Sequence, residues 1–265
     1  MASQFTVLLR NEVAKASRRR LPYFGFLAMG LVCVIVYFVA GQSDNTPMSN
    51  AWGYVGFSMQ LAFSDIGPIC LLAFATMLVA EETGAGTIRS ALAAPVYRWE
   101  FYLAKSVTGL LYMVVLSTIT LLFYVALASI HYHFTPVADS FGVIYHRHQA
   151  AEAFLVSYLL SWLPLGALVM CGLMISTMIR NPGVAVAAGI GGLFLVDFTK
   201  HLVGLDPYIF TRYIDYSWLN LQQMAQGMDY PWRPEVWKMT ALSGVSAMIA
   251  FTAGLVTFVR QDLNH

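Results

Sequence analysis

The sequence predicts an all-α integral membrane protein of six transmembrane helices, and three observations predict it. Apolar residues make up 58% of the 265 residues and charged residues only 11%, against roughly a quarter charged in soluble domains. Windows poor in Asp, Glu, Lys and Arg recur along the chain and reach the roughly 20 residues that a helix needs to cross the hydrocarbon. Lysine and arginine gather on one side of those windows, as they do on the cytoplasmic side of membrane proteins.

Residues 1–20 precede the first window and read as an amphipathic interfacial helix. Phe5, Leu8, Leu9, Val13 and Ala16 share one face, with Gln4, Asn11, Lys15 and Arg18 opposite. Glu12 falls on the apolar side and interrupts the pattern. A membrane-surface elbow accounts for this better than a binding helix. A cleavable signal is not expected, because the apolar run that follows is too long and lacks a small-residue cleavage pattern.

The spans are expected at about 21–40, 55–80, 106–130, 153–179, 183–203 and 239–259. The second lies in a charge-poor window, 51–80, broken only by Asp65 and expected to bend near Pro68. The fourth contains Pro164, and the fifth carries Asp197 and Lys200 near its far end. These spans use most of the chain, so residues 1–265 form one transmembrane domain. Cys33, Cys70 and Cys171 fall inside spans without any linking spacing and read as small packing residues.

With six spans, ten of the fifteen lysines and arginines lie on the side of the N-terminal segment, residues 81–105, residues 180–182 and the tail. That side is the cytoplasm, so both termini and the 81–105 connection face the cell interior.

The connection 81–105, EETGAGTIRSALAAPVYRWEFYLAK, concentrates polar chemistry in an otherwise oily chain. Glu81 and Glu82 mark an exit into water, and Gly84 and Gly86 permit a sharp reversal. Thr87 can cap a new helix, on which Ile88, Ala91 and Leu92 share an apolar face. Pro95 ends it by disfavouring the helical conformation at Ala94. Two helical turns do not hold together alone in water, so this segment needs a surface to lie against. Either the membrane or a cytoplasmic partner meets that need.

Phosphate-cradling and nucleophile-elbow motifs are missing from the sequence. There is no GxxxxGK[ST], no HExxH and no GxSxG, and no glycine directly precedes a lysine. If ATP drives this protein, another polypeptide holds the nucleotide.

Glu82, Gly86-Thr87, Leu92, Pro95, Arg98 and Lys105 together resemble the signature of ATP-binding-cassette type-2 (ABC-2) permeases, between the second and third of six spans. Ile88 stands where leucine is frequent in that family, and Ala85-Gly86 replaces a glycine pair. The resemblance implies the ABC-2 (type V exporter) permease fold with an N-terminal elbow. It implies that the helix around 88–94 is a coupling helix seated in an ATPase groove, with Glu82, Gly86, Thr87, Ile88, Leu92, Pro95, Arg98 and Lys105 as the coupling residues. It implies no catalytic residue and no cofactor on this chain, ATP and Mg being held by two partner ATPase subunits. The other expected partners are a second permease copy or close relative, membrane lipids and a periplasmic accessory protein; nucleic acid is not expected. A bacterial inner membrane fits the family and the compact size.

Several constellations carry a second reading beside the first. Asp65 in mid-span costs about 2.5–3.5 kcal/mol to insert, so it faces protein or water, as part of a substrate path, a gate or a helix–helix bond. Asp197 and Lys200 are three apart and can pair locally, or serve transport. Gly183, Ala187, Ala188 and Gly192 give the fifth span a small-residue surface, and the family's packing habit makes it the expected dimer seam. His131, His133, His146 and His148 form two His-x-His pairs on the outer side, which bind a metal only if the backbone there is extended. A solvated loop explains them as well. Residues 205–234 carry many aromatics and are expected to fold back onto the membrane. A metal-handling protein or enzyme and a non-transporting scaffold or sensor are the competing functions.

Overall fold

A computed structural model describes residues 4–40, 50–86, 97–139, 142–228 and 233–260. Among these, helix α1 is Gln4–Arg18 and α2 is Leu21–Ala40. Helix α3, Ala51–Leu61, runs through a π-helical turn, Ala62–Ile66, into α4, Gly67–Gly84. Helix α5 is Arg98–His131. A small hairpin of β1, Val137–Asp139, and β2, Gly142–Tyr145, precedes α6, Arg147–Met178. Helix α7 is Pro182–Val203. Two 3₁₀ turns, Asp206–Tyr208 and Phe210–Tyr213, lead to α8, Tyr216–Ala225, and the last helix, α9, is Arg233–Arg260.

Six helices are long and apolar enough to cross a membrane: Leu21–Phe38, Ala51–Gly84, Arg98–Ile130, Arg147–Met178, Pro182–Lys200 and Glu235–Arg260. The third and fourth are longer than charge-free windows indicate, because each continues past its first charges. Lys105 therefore lies inside α5, seven residues beyond its start at Arg98.

Helix α6 is the centre of the bundle. It packs against α4, α5, α8 and α9, and α4 in turn packs against α7. Small residues make that possible. A side chain at Gly172 would bring its Cβ to 2.7 Å from the Ala75 methyl on α4. Nearby, the Ser176 hydroxyl oxygen accepts hydrogen bonds from the Val79 and Ala80 amides at 2.9 and 3.0 Å.

The second span is disturbed one turn before the expected bend. Pro68 has no N–H and its ring crowds the carbonyl four residues back. The chain absorbs this by widening to a π turn, in which the Gly67 amide bonds to the Ala62 carbonyl. Asp65 sits in that widened turn.

The spans differ in length, and the difference builds the outer face. Ala51–Gly84 and Arg98–His131 each have 34 residues, about 51 Å at the helical rise, against a hydrocarbon thickness of about 30 Å. The start of the first and the end of the second, with the start of α6, α8 and the hairpin, form a cap at one end of the bundle. Aromatic rings lock it: Trp52 lies 4.7 Å from Phe134, Tyr54 stacks on Tyr132 at 5.2 Å, and Phe154 meets Trp218 at 6.1 Å. The Trp52 indole also donates to the Thr135 carbonyl at 3.1 Å. Within 205–234, the described residues fold into short helices against α3 and α6, and Trp218 is fully buried.

Gly172→Val is expected to force α4 and α6 apart and destabilise the protein by about 1–3 kcal/mol, the usual range for overpacking. A thermal melt of the detergent-purified variant that matches wild type would refute this close approach.

Candidate functional site

The helix before the first span docks through the residue that broke its sequence pattern. Val13 is 37% exposed, whereas Glu12 is 4% exposed and faces the bundle, flanked by Leu8 and Ala16. The expected apolar face is thus rotated: Val13 leaves it and Glu12 is at its middle. Glu12 faces inward because a cation waits there. The Lys105 ammonium, with no exposed surface, lies 2.8 Å from Glu12 Oε2 and 3.0 Å from Glu82 Oε1. Lys15 completes the group, 2.8 Å from Glu12 Oε1 and 3.3 Å from Glu82 Oε1. Arg19 holds Glu81 at 2.8 Å beside it. Three carboxylates face three cations, so the cluster is formally neutral. The Phe101 ring lies 4.8 Å below the Lys105 nitrogen and adds a cation–π contact.

This cluster joins α1, the end of α4 and the start of α5. Burial alone pushes the Glu12 carboxyl up, but the Lys105 charge and its hydrogen bond, with Lys15, hold it below the ordinary value of 4.5. Burial likewise lowers the Lys15 ammonium, while Glu12 and Glu82 raise it above 10.5.

Two further contacts gather the helix ends on the clamp's side of the bundle. Arg98 donates from Nη1 to the Val259 carbonyl at 2.9 Å, tying α5 to α9. A Cβ at Gly84 would stand 2.8 Å from the Arg180 carbonyl, so α4 ends hard against the turn between α6 and α7. Gly86 then takes the left-handed conformation, φ +67°, that glycine allows. Thr87, Ile88, Leu92 and Pro95 lie outside the described residues. Of the predicted coupling residues that are described, Glu82 and Lys105 are buried in the clamp and Arg98 is at its edge.

Away from the clamp, Asp65, Asp197 and Lys200 come together around one cavity of about 440 Å³. Its wall combines the π turn and α4, the far end of α7 and the segment from Asp206 to Leu219. Lys200, 7% exposed in its side chain, lies 2.5 Å from Asp197 and 3.7 Å from Asp206, and Arg212 pairs with Asp206 at 3.1 Å. Asp197 and Lys200 therefore do pair along the helix. Ser64 donates to Asp215 Oδ2 at 3.5 Å. Burial, with a contribution from the Asp65 charge, pushes the Asp215 carboxyl above the usual carboxylate range. Sequence reasoning missed Ser64, Asp206, Thr211, Arg212 and Asp215, because residues 64 and 215 are too far apart for any periodicity to link them.

The dimer-seam candidates divide by exposure. Gly183, Ala187 and Ala188 are exposed and Gly192 is half-buried, with open space where its Cβ would stand. Ala185 and Gly189 turn inward, and Gly189 lies against Thr76. Of the four histidines, His133 and His146 lie outside helices, and His146 has an extended backbone. His131 ends α5 and His148 lies within α6, although the His146 and His148 rings stack at 5.8 Å. No group of three or more potential metal ligands occurs among the described residues.

Lys105→Met leaves two buried carboxylates facing an apolar side chain and is expected to cost about 3–5 kcal/mol. The triple change Glu12→Gln, Glu82→Gln and Lys105→Met is expected to recover most of that loss. Melting curves of both variants check the assignment, and a triple variant no better than the single one would count against it. The clamp also has a pH window. A carboxyl whose folded value is lowered stabilises above its unfolded value and loses that contribution as pH falls through the folded value. For Glu12 the loss comes below pH 4.5; the raised Lys15 stabilises below 10.5 and is lost above it. Release of α1, followed by proteolysis near Arg10, is expected in acid and strong base and not between.

Among curated proteins, none matches the chain. A family model described as "ABC-2 family transporter protein" matches residues 8–195, from α1 through most of α7. The match includes Glu12, Asp65, Glu82 and Lys105, so the clamp and one wall of the outer cavity lie within it. With its six apolar helices, the chain belongs to the ABC-2 transporter family and is a membrane permease component of an ABC transporter.

Proposed function

We propose that this chain is the permease of an exporter whose ATP is hydrolysed by two separate ATPase subunits that carry ATP and Mg. The observation that carries this reading is the clamp around residues 87–96. The helix entering that segment and the helix leaving it are joined by Lys105 and Glu82, and both are fastened to α1 through Glu12. A short helix so anchored delivers a push on its apolar face to three helices together. Ile88 and Leu92 are the residues that take the push, and Thr87 and Pro95 bound them. Both termini lie in the cytoplasm of a bacterial inner membrane in this reading.

A second copy or close relative completes the exporter. Exposed small residues on α7 (Gly183, Ala187 and Ala188) support a seam there, since such surfaces let helices approach closely in lipid. Helix α2 adds an exposed apolar stripe of Phe24, Leu27, Leu31 and Phe38.

Leu92→Asp places a charge on the expected coupling face and leaves the clamp residues themselves unchanged. The variant is expected to insert and melt as wild type does while losing co-purification with its ATPase and the ATPase activity that depends on the permease. Capture of the ATPase at wild-type level by this variant would refute the coupling assignment.

A further inference from the structure

The outer cavity carries more negative charge than its own ion pairs use. Four carboxylates and two cations line it, a formal surplus of two negative charges. Lys200 lies between Asp197 and Asp206, and Arg212 is held by Asp206. The surplus therefore rests on Asp65 and Asp215, neither of which has an ion-pair partner among the described residues. Both line the one cavity, and Ser64, next to Asp65 in the chain, bonds to Asp215; the Lys200 charge reaches Asp215 as well, without pairing with it, and the Asp65 charge opposes it. Like charges held together repel unless a cation comes between them.

A second observation is independent of the carboxylates. Thr211 lines the same cavity and is only 8% exposed, yet its hydroxyl has no hydrogen-bond partner in the protein. Buried hydroxyls are rarely left so. Ile69, Leu193, Phe194 and Leu219 give the same wall an apolar part. A bare metal ion fits poorly, because the space far exceeds an ion and no group of three metal-ligating side chains occurs among the described residues.

We propose that this cavity binds a protonated amine carried on an apolar body. The ammonium lies between Asp65 and Asp215, one of its N–H groups is donated to the Thr211 hydroxyl oxygen, and the apolar body rests on Leu193 and Phe194. As a statement about cargo this rests on the permease reading; as a statement about binding it stands alone. Lys200 holds Asp197 and Asp206 out of the competition, so the free carboxylates are the two that the cargo meets.

The test uses the full-length permease in nanodiscs with dansylcadaverine, a primary amine on an aromatic body, and its N-acetyl derivative, which lacks the charge. Wild type is expected to bind the amine at least tenfold more tightly than the acetylated form. Asp65→Asn with Asp215→Asn is expected to erase that preference, and Thr211→Val to weaken the amine several-fold while leaving the acetylated form unchanged. Equal binding of the two probes by wild type, or an unchanged preference in the double variant, would overturn the proposal. Should the double variant melt below wild type, Asp65→Asn alone decides, since that side chain is exposed. Co-purification with the ATPase is scored separately. Capture of the ATPase without amine preference refutes the subsite alone, and amine preference without capture refutes the exporter reading alone.

Discussion

A lysine with no exposed surface sets the terms for one end of the bundle. Removing an ammonium from water is expensive, and the interior tolerates it only where carboxylates stand at bonding distance. Lys105 finds two, from α1 and α4. Neither helix can drift without uncovering a buried charge, so three elements far apart in the chain behave as one body. The acid and the lysine that bracket the 81–105 signature are thus partners across the connection they bracket.

The same interaction shows what the sequence disclosed and what it hid. The number of spans follows from hydropathy, since lipid leaves few alternatives. A rule that treats every charge as the edge of a span fails where charges neutralise one another. It started the third span at Ser106 and so placed Lys105 outside a helix that begins at Arg98. It also read Glu12 as a flaw in an apolar face, because nothing local reveals a cation 93 residues away. The π turn is a related case: proline announces a disturbance, but the turn that absorbs it precedes the ring.

The outer cavity was legible only in fragments. Asp65, Asp197 and Lys200 stood out as charges among oil, each with a local explanation. Their convergence depends on the segment after α7 folding back beneath α8, and aromatic content predicts such a return without giving its register. Asp215 and Thr211 carried no signal at all in a stretch where polar residues are ordinary. Cavity and clamp nonetheless share one element, since Asp65 and Glu82 stand 17 residues apart on the second span, about 25 Å along its axis. The widened turn interrupts the rod at the end nearer the cavity.

The unequal spans have one more effect. Those of 34 residues are about 51 Å long, which leaves about 20 Å beyond a hydrocarbon layer of about 30 Å. The aromatic contacts of Trp52 with Phe134 and of Tyr54 with Tyr132 fasten the start of one long span to the residues just after the other, so a label on either ring pair reports on both spans at once.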